Sequence, residues 1–423
     1  MRFVHAADLH IDSPLVGLER YEGAPVSRVR EATRDAFRNV VGLCLEEEAR
    51  FLVLAGDVFD ADWRDVNTGL FFVKELSRLR AVGCEVLLLR GNHDFDLTSK
   101  LDYPEHVHEF APPGKRAARG ARSHVFEADG IAFHGVSYPT RQVEESLLPS
   151  YPEPLSGILN VGVLHTNATG NRSHESYAPC SVSDLVAKGY GYWALGHVHS
   201  HAVLHDDPFV VYPGNTQGRS AREAGAKGCV VAEVDDEGRR VERVRFAETD
   251  VMRYFVEAIR LDPDDDRDAL IDRVRAGLDA IVARADGRLA AVRLVISGSA
   301  RAHKDVATAR DALVAQIRSE ANDRGDAVWL ERVDLATSPA IRIDELRESK
   351  GLLGELLRHI EHLRTDDGEP DLLRVASALA PLEKKIARDV GLHVSDRAVL
   401  ERILAQAEAL LAERLNESAL DEP

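Results

Sequence analysis

Residues 86–94 read Val86-Leu87-Leu88-Leu89-Arg90-Gly91-Asn92-His93-Asp94. Four aliphatic residues give way to Gly, Asn, His and Asp. The apolar run is short and reads as a buried strand of a parallel sheet. The polar residues then emerge together at its carboxyl end, where open α/β sheets place their ligand sites. The same construction recurs along the chain. Phe3-Val4-His5-Ala6-Ala7 runs into Asp8-Leu9-His10, and Phe51-Leu52-Val53-Leu54-Ala55 runs into Gly56-Asp57. Val161-Gly162-Val163-Leu164 runs into His165, and Tyr192-Trp193-Ala194-Leu195 runs into Gly196-His197-Val198-His199. One such ending is commonplace. Five in order imply one site.

The chain has 423 residues, which predicts two or three domains, and its apolar fraction of 44% can fill their cores. No apolar run approaches the roughly 18 residues of a membrane helix, so no membrane partner is expected. The sequence opens on a strand with no signal-peptide pattern. Its four cysteines (Cys44, Cys84, Cys180, Cys229) form no C-x-x-C pair. Both features predict reduced thiols and a cytoplasmic location. The net charge of −18 lacks the basic excess of a free-standing nucleic-acid binder. A polyanionic substrate would have to be held by local basic loops, metal ions or a partner.

Residues 1–250 read as alternating strands and helices, the helices at Ser27–Glu47, with Ser27 as cap, and Asn67–Ala81. A loop from Pro112 to about Ser123 carries Lys115, Arg116, Arg119 and Arg122, candidates for substrate binding. Residues 228–247 read as a hairpin turning at Asp236-Glu237-Gly238. Residues 251–340 predict a small α/β accessory, or capping, domain. Residues 341–423 read as helical, with apolar stripes at Leu352, Leu353, Leu356, Leu357, Ile360 and Leu363 and again from Leu400 to Leu411, after a cap at Ser395.

Asp8, His10, Asp57, Asn92, His165, His197 and His199 are the candidate metal ligands. All offer nitrogen or oxygen, a set that suits Mn, Fe or Zn rather than a structural zinc. One divalent ion rarely takes seven protein ligands, while two sharing a carboxylate can. Two ions about 3.5–4 Å apart clamp a phosphoryl group and activate water for in-line attack. Hydrolysis of a phosphoester by a metal-activated water is the chemistry implied.

In this order D-x-H, G-D, G-N-H-D, H and G-H-x-H resemble the signature of the calcineurin-like metallophosphoesterases over about residues 1–235. That resemblance implies an α/β fold: a β-sandwich flanked by helices. By it, Asp8, His10 and His199 would hold one ion, Asn92, His165 and His197 the other, and Asp57 would bridge. His93 and Asp94 would be the catalytic pair: His93 contacts the phosphate and protonates the leaving group, and Asp94 orients it. His165-Thr166-Asn167, Tyr177-Ala178-Pro179-Cys180, Tyr192 to His197 and Tyr212-Pro213-Gly214-Asn215-Thr216-Gln217-Gly218-Arg219 narrow the likeness. They resemble the SbcD-type DNA repair exonucleases and their YhaO-like branch. The resemblance implies two Mn ions, DNA as substrate, Arg219 as a further substrate contact, and an SbcC-like coiled-coil ATPase docked on the helical tail. It leaves room for a homodimer. No G-x-x-x-x-G-K-[S/T] occurs, so an ATPase would be a separate protein. Several nucleases of this kind carry a histidine where this chain has Asp60. The rival expectations are a metallophosphoesterase of a small nucleotide or other phosphodiester, which the acidic charge favours, and a scaffold that binds DNA or the ATPase without cutting.

Overall fold

The structure, a computed structural model, describes residues 1–13, 25–60, 66–96, 101–112, 120–168, 177–340, 343–365, 369–383 and 397–420. The strands are β1 (Arg2–Ala6), β2 (Phe51–Ala55), β3 (Glu85–Leu89), β4 (Val107–Glu109), β5 (Arg122–Phe126), β6 (Ile131–Gly135), β7 (Leu159–His165), β8 (Tyr192–Gly196), β9 (Ala202–Asp206), β10 (Phe209–Tyr212), β11 (Gly228–Val234), β12 (Val241–Glu248), β13 (Met252–Arg260), β14 (Leu289–Ala300) and β15 (Val328–Pro339). The helices are α1 (Val26–Glu46), α2 (Val66–Arg78), α3 (Val182–Ala187), α4 (Arg267–Ala285), α5 (His303–Thr308), α6 (Arg310–Asn322), α7 (Ile343–Glu348), α8 (Leu352–His362), α9 (Glu369–Glu383) and α10 (Arg397–Leu420).

Two six-stranded sheets form the body of residues 1–257. One has the order β12-β11-β1-β2-β3-β4 and the other β5-β6-β7-β8-β10-β9. Strands β1 to β4 are mutually parallel, as are β6, β7, β8 and β10. The inner parallel strands are mostly apolar because both faces are covered. Phe3, Phe51, Val53 and Leu87 of the first sheet share one core with Phe133, Val161, Tyr192 and Val211 of the second. This is the expected α/β sandwich. Helices α1 and α2 cover the outer face of the first sheet through Phe37, Val40, Phe72 and Leu76. The bridge from Ala7 to Asn215 joins the carboxyl ends of the two sheets.

Ser27 does not cap α1. Pro25 occupies the cap position, and the first helical bond runs from Val29 N to Pro25 O at 3.0 Å. Proline's fixed φ presets the entry into the helix. The expected hairpin forms, β11 pairing antiparallel with β12. Two short strands, β4 and β5, flank the segment read as the basic loop.

The chain divides into two compact units, residues 1–257 with 278–294 and 321–332, and residues 258–277 with 295–320 and 333–423. A three-stranded sheet runs β13-β14-β15. In the second unit Ile360, Leu363, Leu372, Leu400 and Leu404 form a core among α8, α9 and α10. Ser395 lies outside the described residues. No helix among the described residues is long and apolar enough to cross a membrane.

Candidate metal centre

Each expected ligand follows a parallel strand. Asp8 and His10 lie beyond β1, Asp57 beyond β2, and Asn92 beyond β3. His165 ends β7, and His197 and His199 lie beyond β8. Backbone bonds tie these turns together, Asp8 N to Gly56 O at 3.0 Å and His10 N to Asp57 O at 3.1 Å. Asp8, His10, Asp57 and His197 have φ of 52°, 45°, 53° and 100°. Left-handed backbone at non-glycine residues costs about 1–3 kcal/mol each and persists where surroundings impose it, characteristically at functional sites.

His10 Nδ1 donates to Asp60 Oδ1 at 2.7 Å, and His199 Nδ1 donates to Glu223 Oε1 at 2.8 Å. A carboxylate only accepts, so both rings carry their proton on Nδ1 and turn a lone pair inward at Nε2. Those two Nε2 atoms face each other at 3.3 Å. Asp8 Oδ1 lies 3.8 Å from His199 Nε2, and Asp57 Oδ2 lies 3.9 Å from His10 Nε2. Lone pairs and carboxylates so arranged repel unless a cation sits among them.

The same logic holds at His165. Its Nδ1 donates to Ala55 O at 2.9 Å. The other ring nitrogen then meets two acceptors, Asn92 Oδ1 at 2.9 Å and Asp57 Oδ2 at 3.3 Å. Burial acts to lower the pKa of His165, but the charge and contact of Asp57 outweigh it and raise it to about 9. A proton is drawn to where a metal cation would serve. Burial likewise acts to raise the pKa of Asp57, yet His165, then His10 and His93, hold it well below the carboxylate range.

Among the described residues, three groups of ligand atoms lie close enough to hold an ion: Asp8, His10 and His199; Asp8, Asp57 and His165; and His10, Asp60 and His93. The donor set and its facing lone pairs fit divalent ions. His197 joins through its backbone N–H, which donates to both Asp8 oxygens at 3.1 and 3.0 Å. Its ring centroid is 5.2 Å from that of His165, and burial, with the His165 charge, lowers its pKa to about 3. The ring is therefore neutral and can ligate.

Asp94 is not the partner of His93. Its carboxylate accepts from Val58 N at 2.8 Å and Gly91 N at 2.6 Å, joining the ends of β2 and β3 from a buried position. These inward-facing amides need an acceptor, and Asp94 is the one beneath them. Burial, then the charge of Asp57, raises its pKa to about 7. Asp60 partners His93 instead, at 2.9 Å from His93 Nδ1, and this bond raises the pKa of His93. One oxygen, Asp60 Oδ1, thus holds both His10 and His93. Arg219 stands beside these outer carboxylates, its Nη2 donating to Glu223 Oε1 at 3.1 Å and its Nη1 lying 4.0 Å from Asp60 Oδ2. Arg122 is exposed at the start of the edge strand β5. Lys115, Arg116 and Arg119 lie outside the described residues.

A family model for calcineurin-like phosphoesterases matches residues 1–201. Residues 254–338 match the model of the middle domain of the metallophosphoesterase YhaO. The chain is 36% identical over 238 residues to an uncharacterized metallophosphoesterase YhaO of Bacillus subtilis, covering 55% of this chain and 57% of that one. It is 26% identical over 238 residues to a DNA double-strand break repair protein Mre11 of Methanopyrus kandleri, covering 51% and 49%. A Mre11 of Sulfolobus acidocaldarius is 23% identical over 204 residues, covering 47% and 50%. The chain therefore spans about half the length of the curated relatives it matches. Within residues 1–201 the N/O donors form candidate sites for divalent metal.

Proposed function

We propose that this chain is a two-metal phosphodiesterase acting on DNA in repair, as an exonuclease or endonuclease, with Mn2+ as the preferred ion and Fe or Zn as alternatives. The observation that carries the reading is the pair of inward lone pairs on His10 and His199. Each is fixed by an outer carboxylate, and both lie beside the His165–Asp57 contact. Two divalent ions there would supply Lewis acidity and an activated water. Asp57, turned toward both His10 and His165, is the shared carboxylate. His93 is half-exposed at the rim, with Nδ1 on Asp60, which leaves Nε2 to contact a phosphate oxygen and give a proton to the leaving oxygen. Arg219 adds a fixed positive charge nearby. The names of the archaeal relatives support DNA as substrate. An SbcC-like coiled-coil ATPase belongs to this reading, docked on residues 341–423, where Leu352 and Leu373 are exposed. So do a homodimer and a cytoplasmic location.

A small phosphodiester is the second reading, and the net charge of −18 favours it by opposing approach of a polyanion. Mn2+-dependent hydrolysis of linear duplex DNA and of a small chromogenic diester separates the two. Cleavage of both, lost in EDTA and in Asp57→Ala, is expected. Cleavage of the small diester alone selects the second reading. No hydrolysis of either with Mn2+, Fe2+ or Zn2+ overturns both.

A further inference from the structure

Glu223 lies in a short helical turn, residues 221–223, outside the quoted sequence motifs and four residues beyond Arg219. Its side chain is mostly buried, at 15% exposure. All four of its close partners are donors. Oε1 accepts from His199 Nδ1 at 2.8 Å and from Arg219 Nη2 at 3.1 Å. Oε2 accepts from Asn215 Nδ2 at 2.9 Å and from the Arg219 backbone N at 2.8 Å. Only a carboxylate satisfies this arrangement, because an amide in its place would turn an NH2 toward two donors on one side. Burial acts against the charge, but the hydrogen bond from His199 and then the Arg219 guanidinium hold the Glu223 carboxyl well below the usual carboxylate range.

We propose that Glu223 is the positioning residue of the Asp8–His10–His199 metal position, fixing His199 as the Nδ1–H tautomer so that its Nε2 lone pair faces His10 and Asp8. The inference rests on the two-metal reading and names the residue that makes one of its two positions. His165 and Asn92 have no contact with Glu223 among those described, so the second position should not feel its loss. Outer-sphere partners of a ligating histidine contribute about ten- to a hundred-fold in metal affinity.

Calorimetric titration of the full-length, metal-stripped protein with Mn2+ tests this without reference to turnover. Wild type should bind two ions. Glu223→Gln should bind one with unchanged affinity and the other about ten- to a hundred-fold more weakly. Glu223→Asp keeps the charge but draws the carboxylate back by about 1.5 Å, and it should show the same selective loss. This second variant decides the matter if Glu223→Gln fails to fold by circular dichroism. Ser220→Ala is the control, because Ser220 Oγ accepts from Arg222 N and supports the same turn without touching His199. It should leave both affinities intact. Unchanged affinities in a folded Glu223 variant overturn the inference alone, as does equal weakening of one ion in Ser220→Ala. A wild type that binds no Mn2+ overturns the two-metal reading together with it.

Discussion

Gly91 has no room for a side chain. A Cβ there would stand 2.3 Å from Asp57 Oδ1 and 2.8 Å from the His165 ring. Gly56 and Gly196 press on the same ring, so His165 is caged by the turns after three strands. Gly91→Ala should therefore fold but part Asp57 from His165. Elemental analysis after Mn2+ loading should show at least one ion lost, and full occupancy would refute this account. His5 is a different case, a histidine buried between Tyr192 OH at 3.1 Å and Leu195 O at 3.1 Å. Burial lowers its pKa from 6.5 to about 3. The unfolded chain takes up this proton first, so its contribution to stability is full above about pH 6.5 and is lost as pH falls toward 3. A single group of this kind gives a slope of about 1.4 kcal/mol per pH unit. In EDTA, the urea midpoint of wild type should fall more steeply between pH 6.5 and 4.5 than that of His5→Asn. Parallel curves would exclude His5 as the cause. The sequence alone marks His5 as a packed residue, because it sits mid-strand. It could not mark Glu223, whose partner His199 is twenty-four residues away and which belongs to none of the quoted motifs. Asp60 was visible only as a departure from a family position; its bond to His93 depends on how two strand ends meet.

Strands β1, β2, β3, β7 and β8 were legible because each is a mostly apolar run whose carboxyl end carries a ligand-type residue. Their edges were not. β4 is three residues long, and β5 alternates exposed with half-buried positions, so neither has the apolar content that marks a covered strand. The tail stripes were legible as helices. Their partner was not, since amphipathic spacing states that a face is covered and not by what. Here α8, α9 and α10 cover one another. Within that bundle Glu408 is buried and meets Arg364 at 2.8 Å, with Arg347 also on its carboxylate. Removing the acid strands two guanidinium groups, one of them nearly a third exposed, and charged hydrogen bonds of this kind are worth about 1.5–3 kcal/mol. Glu408→Ala should raise amide exchange in α8 and α10 by an amount in that range. Mn2+ binding, which depends on residues before 224, should stay as in wild type. Unchanged exchange in α10 would mean that the apolar core alone holds the tail.

At the scale of the whole molecule, charge sets the problem. A chain at −18 gains nothing from long-range attraction to DNA, so on the proposed reading attachment would have to be local. Bound divalent ions would supply part of it. One concentration of positive charge in the sequence is Lys115, Arg116, Arg119 and Arg122. Each phosphate that such a side chain neutralises releases counterions and adds about −0.9 to the slope of log affinity against log salt. If all four act, reversing them to Glu should flatten the slope by about 3–4 and weaken binding most at low salt. None of them is among the candidate metal ligands, so hydrolysis of a small diester should be unchanged in the same variant. Binding is measured by fluorescence anisotropy of labelled duplex in Ca2+, across a range of salt concentrations, in wild type and the fourfold variant. A common slope would return these residues to solvated surface, and DNA would then have to be held by the metal centre and a partner. Loss of diester hydrolysis in the variant would show instead that the loop supports the centre itself.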